Sequence, residues 1–461
     1  VRGNAHDYDE WESHGASGWN YQNCLPYFKK LENHQCIDSE YTGNEGPVAI
    51  SGGNNMRNPL YRAFIDAGVE AGYSETKDYN GFRQEGFGQK FMNVDRGIRA
   101  SSSHAYLKTA KKRSNLTILK HALVKRIRIS DKTATGIECE IGTKTKVFNA
   151  QREVILCAGA IGSPHLLQVS GVGPKHTLAA AEIDLLHELP GVGENLQDHL
   201  EFNFQYSCKQ PVSLNSQLGL FKKVMIGVQW LLFKTGLGRT NHFESCAFIR
   251  SKAGVKWPDI QYHFLPGAIT YDGSVAFKGH GFQVHVGHNK PTSRGHVRAI
   301  SADIEQHPEI LFNYLATEED REGFRDCVHL TREVMQQPAM DAFRGEVIQP
   351  TAEVQTNEQI DAFVRESVDS AYHPAGTCKI GTDSMAVVDP NLRVHGLKNI
   401  RVIDSSVFPT VPNGNLNAPT MMIAERGADL IKNCVITPTE HVAAYLDGQW
   451  KNRQRESKSK D

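Results

Sequence analysis

The run REVILCAGAIGSPHLLQVSG, residues 152–171, sets tight terms for the chain around it. Val154, Ile155 and Leu156 form a short apolar stretch that ends in the small residues Cys157 to Ala160, as a buried strand does when it enters a tight turn. SPHLLQVSG then reads as a short helix closed by Gly171. Small residues at such a turn let backbone approach a ligand closely, and the following helix N-terminus favours negative charge. The same pattern also serves as a purely structural strand–turn–helix.

The flanking sequence extends the pattern. TILKHALVKRIRI (117–129) alternates apolar and polar residues, and ATGIECEI and KVFNAQREVILCAGA continue as strands with turn residues between them. From about 196 to 370 the texture changes. PDIQYHFLP, FQVHVGH and HVRAIS are alternating strands suited to an antiparallel sheet with one buried face. Thr317 and Asp320 are placed as a capping box before the helix EGFRDCVHLTREVMQQ. The buried strand NIRVIDSS follows, then a helix for which Asn417 can serve as N-cap, with Pro419 in its first turn. Residues 1 to about 45 read as an irregular covering segment, and KNRQRESKSKD at the end as disordered. At 461 residues, two closely joined domains are expected.

Composition narrows the function classes. A net charge of −1 gives no general electrostatic case for nucleic acid or an anionic membrane. The nine cysteines are scattered, without CxxC pairs or metal-ligand spacing, which fits reduced or buried thiols. The most apolar segment, Val224 to Phe233, is flanked by Lys222, Lys223 and Lys234 and is too short to span a bilayer. A helix packed on the core is expected there, with peripheral membrane contact as the alternative. The chain starts at Val1 without an initiator methionine and reads as an N-terminally truncated piece.

Position by position, GAIGSPHLLQVSGVG (159–173) is similar to the second signature of the glucose–methanol–choline (GMC) oxidoreductase family. VRGNAHDYDEW resembles the end of its first signature; GIRASSSHAYL and GVGENLQDH resemble two further segments. YHPAGTCKIG, VVDPNLRVHGLKNIRVIDSSVFP and GNLNAPTMMIAERGADLI resemble its C-terminal block, in the family's order. The resemblance implies an α/β fold with an α+β second domain: an FAD-binding Rossmann-like domain and an antiparallel-sheet substrate domain. The strand–GxGxxG–helix unit that opens the family is missing from this sequence, so the first βαβ unit is expected to be lacking. The implied division is 1–195 for the FAD-binding domain with its lid segment, 196–370 for the substrate domain, 371–435 for the returning FAD-domain part, and 436–461 as a polar tail.

The resemblance also implies roles. His373, in YHPAGT, matches the catalytic histidine, and an imidazole suits proton exchange near neutral pH. Asn415, in GNLNAP, matches the second catalytic position, and its amide can donate to a developing alkoxide while staying neutral. Val124, Ala158, Gly159 and Asp404 match positions around FAD, while Asn195 and Asp198 read as structural. The region from NHFE to SAYHPAGTC is closest to the choline-oxidising members. There Glu244 matches the carboxylate that faces the ammonium, with Phe243 beside it, and His263 matches an active-site histidine. The implied reaction is oxidation of choline to betaine aldehyde, as in glycine betaine synthesis. The implied partner is a quinone or other membrane electron acceptor, at the cytoplasmic side of a bacterial membrane or the mitochondrial inner membrane. A neutral alcohol as substrate, oxygen as acceptor, or a fragment unable to bind FAD are the competing expectations.

Overall fold

The computed structural model describes residues 1–270, 278–434 and 439–456. Helices α1 (Ala5–Ser13), α2 (Tyr21–Leu31) and α3 (Pro59–Glu70) come first, then strand β1 (Gly86–Gln89). A three-stranded antiparallel sheet follows, from β2 (Ala122–Ser130), β3 (Thr133–Ile141) and β4 (Lys144–Asn149). Strand β5 (Val154–Leu156) runs into α4 (Gly159–Val169). The middle region holds β6 (Leu200–Cys208), α5 (Leu220–Phe233), β7 (Ser245–Ile249), β8 (Ile260–Leu265), β9 (Gly281–His288), α6 (Glu318–Met335), β10 (Arg344–Gln349) and β11 (Asp369–Ser370). Strand β12 (Ile400–Val402) and helix α7 (Asn417–Lys432) complete it.

Two hydrophobic cores organise these elements. The first gathers α1, α2, α4, α7 and the parallel pair β5–β12, where Val154, Ile155 and Leu156 sit opposite Ile400, Arg401 and Val402. The strand–turn–helix expected at 152–171 is present, and the helix begins at Gly159. Pro164 inside it cannot bond the Ala160 carbonyl. Thr377 takes that carbonyl instead, with its hydroxyl at 2.6 Å.

The second core lies under a seven-stranded antiparallel sheet in the order β10–β6–β9–β8–β7–β1, with β11 added beside β6. Period-2 alternation sorts its residues. Phe202, Phe204, Tyr262, Phe264, Val284 and Val286 are buried in the core that includes α3 and α6. Glu201, Gln205, Gln261, His263, Gln283 and His285 therefore take the opposite face.

Several expectations are corrected. Residues 1–45 are no irregular cover, because α1, α2 and the turn between them place Tyr8, Trp11, Trp19, Tyr27 and Phe28 at zero exposure in the first core. Helix α3 and β1, within residues 1–195, pack in the second core and its sheet. The Thr317 hydroxyl caps α6 by accepting from Asp320 N, but the Asp320 carboxylate accepts from Thr292 and Ser293 amides, so only half a capping box forms. Asn417 is the first residue of α7, and the cap position is Leu416, which has no capping side chain.

Helix α5 has no buried residue, contrary to the core-packed helix expected. The polar tail is docked as far as it is described: Asp447 is buried, pairs with Arg250 at 2.8 Å and bonds Arg453, while Arg455 pairs with Glu333. Residues 457–461 of the tail lie outside the described residues.

Candidate active site

Two antiparallel segments clamp the residue expected to act as base. Gln197 and Ala375 exchange backbone hydrogen bonds, Ala371 N donates to His199 O, and Ser370 pairs with Leu200. His373 lies between these anchors. Tyr372 before it adopts a left-handed φ of 60°, and Pro374 after it disfavours helix. The Asp198 carboxylate fixes the clamp: Oδ1 accepts from His373 N at 2.7 Å and His199 N at 2.9 Å. Its Oδ2 accepts from the Tyr314 and Ser370 hydroxyls, each at 2.6 Å. Burial pushes Asp198 above the usual aspartate range even against these donors.

The ring of His373 is held at both nitrogens. Nδ1 lies 3.0 Å from His199 Nδ1, and Nε2 lies 3.1 Å from Asn415 Nδ2. The partners settle the protons. His199 Nε2 sits 3.1 Å from the Asn289 carbonyl, which can only accept, so that nitrogen carries a hydrogen. The neutral ring then accepts at Nδ1, so His373 donates from Nδ1 and keeps a lone pair on Nε2. Asn415 Nδ2 donates to that lone pair. Burial supports the neutral forms: it pulls His373 down to about 4 and His199 well below the usual histidine range.

A chain of amides orients Asn415. Gln261 Nε2 donates to Asn415 Oδ1 at 3.4 Å, and Asn289 Nδ2 donates to Gln261 Oε1 at 3.2 Å. Asn289 also bonds Asn413, whose backbone N–H donates to Asp7 Oδ2 at 2.7 Å. The turn at Asn413–Gly414 requires glycine, with φ at 96°. Helix α7 starts two residues after Asn415 and leaves its N-terminal amides without a side-chain cap.

The polar face of the large sheet forms the opposite wall. Glu201 Oε1 is 3.0 Å from His285 Nδ1, and His285 Nε2 is 2.7 Å from Gln283 Nε2. Phe243 meets the rings of His263 and His285 edge-on, at 6.0 and 5.3 Å. The Lys90 ammonium contacts His263 Nδ1. Burial, aided by Lys90, holds His263 well below its usual range, and burial lowers Lys90 to about 8. Burial works to raise Glu201, but His285 outweighs it and holds the carboxyl below its usual range. His199, Glu201, Gln261, His263, Asn289 and His373 all line one cavity of about 10 Å³, room for a water-sized group.

Comparison with known proteins now bears on this arrangement. Family models described as GMC oxidoreductase match residues 1–201 and 291–424. An oxygen-dependent choline dehydrogenase of Photobacterium profundum is 57% identical over 459 residues, covering 99% of this chain and 81% of the relative. The chain belongs to the GMC oxidoreductase family. An oxygen-dependent choline dehydrogenase of Pseudomonas fluorescens is 50% identical, with 97% of this chain and 80% of that protein covered. The chain spans about four fifths of the length of these two relatives. Among solved structures, pyridoxine 4-oxidase from Mesorbium loti superposes with a TM-score of 0.84 at 29% identity, over 94% of this chain and 82% of that one. Formate oxidase of Aspergillus oryzae reaches a TM-score of 0.87 at 24% identity, covering 94% of this chain and 82% of that one, and speaks to the fold alone.

Within this GMC oxidoreductase the residues singled out from sequence fall into three groups. His373 and Asn415 are in direct contact, and His263 and Phe243 stand on the facing wall. Glu244 does not join them. It is buried, and its carboxylate accepts from Asn54 N, Met56 N and the Thr240 hydroxyl. The carboxylate that lines the cavity with His373 is Glu201, which sequence reasoning missed along with His199. A signal was present in LQDHLEFNFQY, where Glu, Asn and Gln alternate with Leu, Phe and Tyr as a strand with one polar face demands.

The third group surrounds the turn after β5. Ala158 is exposed, and Gly159 has φ at 80° with open space where a Cβ would stand. The N-cap position of α4 is Ala158, which has no capping side chain of its own. Asp404 is buried and accepts from Gly159 N and Ser163 Oγ, which ties the end of β12 to the first turn of α4. Val124 is half-buried on β2, against the same core. An open glycine turn at the end of a parallel strand, leading into a helix N-terminus, fits a dinucleotide cofactor.

Proposed function

We propose that this GMC oxidoreductase takes FAD as its cofactor and oxidises choline to betaine aldehyde. Two observations support the reading: the choline-oxidising relatives at 50–57% identity over nearly the whole chain, and the bond between His373 Nε2 and Asn415 Nδ2. A hydroxyl that takes the place of this bond accepts from Asn415 Nδ2 and gives its proton to His373 Nε2. The uncapped start of α7 favours the negative charge that builds on that oxygen. Neutral His373 is the form a base requires, and His199 and Asp198 hold it in register. Val124, Ala158, Gly159 and Asp404 would hold the cofactor; FAD, when bound, supplies the acceptor for the hydride. Hydration of the aldehyde would recreate a hydroxyl for the same groups, and loss of a second hydride to the re-oxidised cofactor would take the product on to glycine betaine.

A quaternary ammonium has no hydrogen to donate, so it must be held by a carboxylate and aromatic faces. Phe243 supplies the face. Two carboxylates flank it, Glu244 next in sequence and Glu201 through His285; Glu201 is the better placed, since Glu244 already answers three donors.

For the electron acceptor, a quinone or another membrane acceptor is the reading carried over from the resemblance. Oxygen is the second reading, favoured by the relatives' names. Incubating the flavin-loaded protein with choline and quantifying betaine aldehyde, peroxide and reduced quinone tests both points. Betaine aldehyde is expected; its absence, with a neutral alcohol oxidised instead, overturns the substrate.

A further inference from the structure

Helix α5 (Leu220–Phe233) turns the usual pattern of a surface helix inside out. Phe221, Val224, Met225, Val228, Leu231 and Leu232 recur at intervals of three and four residues and so form one stripe. In a globular protein that stripe faces the core. Here every one of these side chains is exposed: Phe221 is 77% exposed, Leu231 64% and Leu232 65%. The side turned to the protein carries Ile226 and Trp230, both half-buried, and the Trp230 indole N–H donates to the Gly97 carbonyl at 2.7 Å. That anchor fixes which face looks outward.

Charge says what covers the stripe. Between Lys209 and Glu244 there is no acidic residue, while Lys222, Lys223, Lys234 and Arg239 are all cationic, in a chain whose net charge is −1. Arg96, at the turn whose Gly97 receives Trp230, is largely exposed beside them and pairs with Asp95. We propose that α5 is a docking element that lies in the surface of an anionic lipid bilayer, its apolar stripe sunk among acyl chains and its lysines among headgroups. The helix is about 21 Å long at 1.5 Å per residue, and no helix among the described residues is long and apolar enough to cross a membrane, so it lies on the membrane rather than through it. A second copy of the chain is a poorer occupant. A two-fold contact would set this patch against itself and bring the like charges of both copies together.

Docking also has a consequence for access. Behind α5 lies a cavity of about 380 Å³, lined by Lys223, Ile226 and Gly227 of the helix and by His242, Phe243 and Leu265. Phe243 is also part of the active-site wall. A helix seated in the lipid therefore places this apolar cavity between the bilayer and the site. This part rests on the catalytic assignment above, whereas the docking itself does not.

Co-sedimentation of the full-length holoenzyme with vesicles tests the proposal. Binding is expected to phosphatidylglycerol–phosphatidylethanolamine vesicles, to fall with salt and to be weak on phosphatidylcholine alone. V224D and L231D alter only exposed side chains and should each weaken it roughly tenfold or more, while choline oxidation in detergent-free buffer is kept. K222E should likewise weaken binding to anionic vesicles. Absence of binding to any vesicle, or equal binding by wild type and variants, overturns the proposal. So does a concentration-dependent dimer in light scattering that V224D and L231D abolish, since a second copy would then be the occupant.

Discussion

Replacing His199 by alanine is the sharpest probe of how the base is set. His199 touches no substrate in the proposed reaction; its Nδ1 accepts the Nδ1 hydrogen of His373 at 3.0 Å. Its loss leaves a buried N–H on His373 without a partner, a penalty of about 1–3 kcal/mol. His373 avoids that penalty by turning or by moving its hydrogen to Nε2, and either change removes the lone pair that takes the proton. Misplacing the base by that free energy corresponds to a rate loss of roughly 5- to 150-fold. The assay is anaerobic stopped-flow reduction of the bound flavin by choline, with folding and flavin content checked first. H199A should lose rate in that range with little change in the half-saturating choline concentration. H199Q, whose amide oxygen can accept the same hydrogen, should recover part of it. An unchanged rate in folded, flavin-loaded H199A refutes the proton assignment, and so does a loss confined to choline affinity.

Four further outcomes are expected. H373A should slow flavin reduction by about 10²–10⁴-fold, as removal of an acid–base group does; an unaltered rate removes His373 from the mechanism. E201Q should raise the half-saturating concentration of choline far more than that of a neutral analogue, whereas E244Q should chiefly lower thermal stability, because it weakens the bonds to Asn54, Met56 and Thr240; the reverse pattern returns the ammonium to Glu244. Burial lowers His373 to about 4 from 6.5, so the unfolded chain takes up the proton first as pH falls. The associated stability is complete above pH 6.5 and lost towards pH 4, about 3 kcal/mol for this group, and denaturant midpoints of wild type and H373A across that window should converge on the acid side. Finally, D447A leaves the buried Arg250 with Glu85 as its remaining carboxylate partner, and should cost about 3–5 kcal/mol in chemical denaturation; an unchanged midpoint would mean the tail is not docked.

Much of this was legible in the residues, and the gaps have physical causes. The strand and turn at 154–160 were readable because an apolar run that ends in small residues has few alternatives, and α4 follows as its helix. The pairing of His373 with Asn415 rested on resemblance: 42 residues separate them, and no local pattern announces a contact made by a clamp and an uncapped helix start. One histidine among 20 and a carboxylate in an alternating strand look ordinary in the sequence, and only the fold brings His199 against His373 and Glu201 against His285. The ligand role of Glu244 rests on resemblance to the choline-oxidising members, and no local pattern shows that its carboxylate accepts from the turn at 54–56. The aromatic residues before 45 were read as cover because Gly and Asn turns interrupt them; tertiary burial of Trp11 and Trp19 overrode that texture. Helix α5 was sound as a helix and wrong in its surroundings, since periodicity shows which face is apolar and not what lies against it.

The proposed function comes down to one reaction at one base, His373. Anaerobic mixing of the flavin-loaded protein with choline, and separately with an uncharged alcohol of the same size, reads it directly in the flavin absorbance. Fast bleaching by choline, slow bleaching by the neutral alcohol, and a bleaching rate that collapses in H373A are the expected results. A flavin-loaded protein that choline does not bleach, or that bleaches as fast without His373, contradicts the account at its centre.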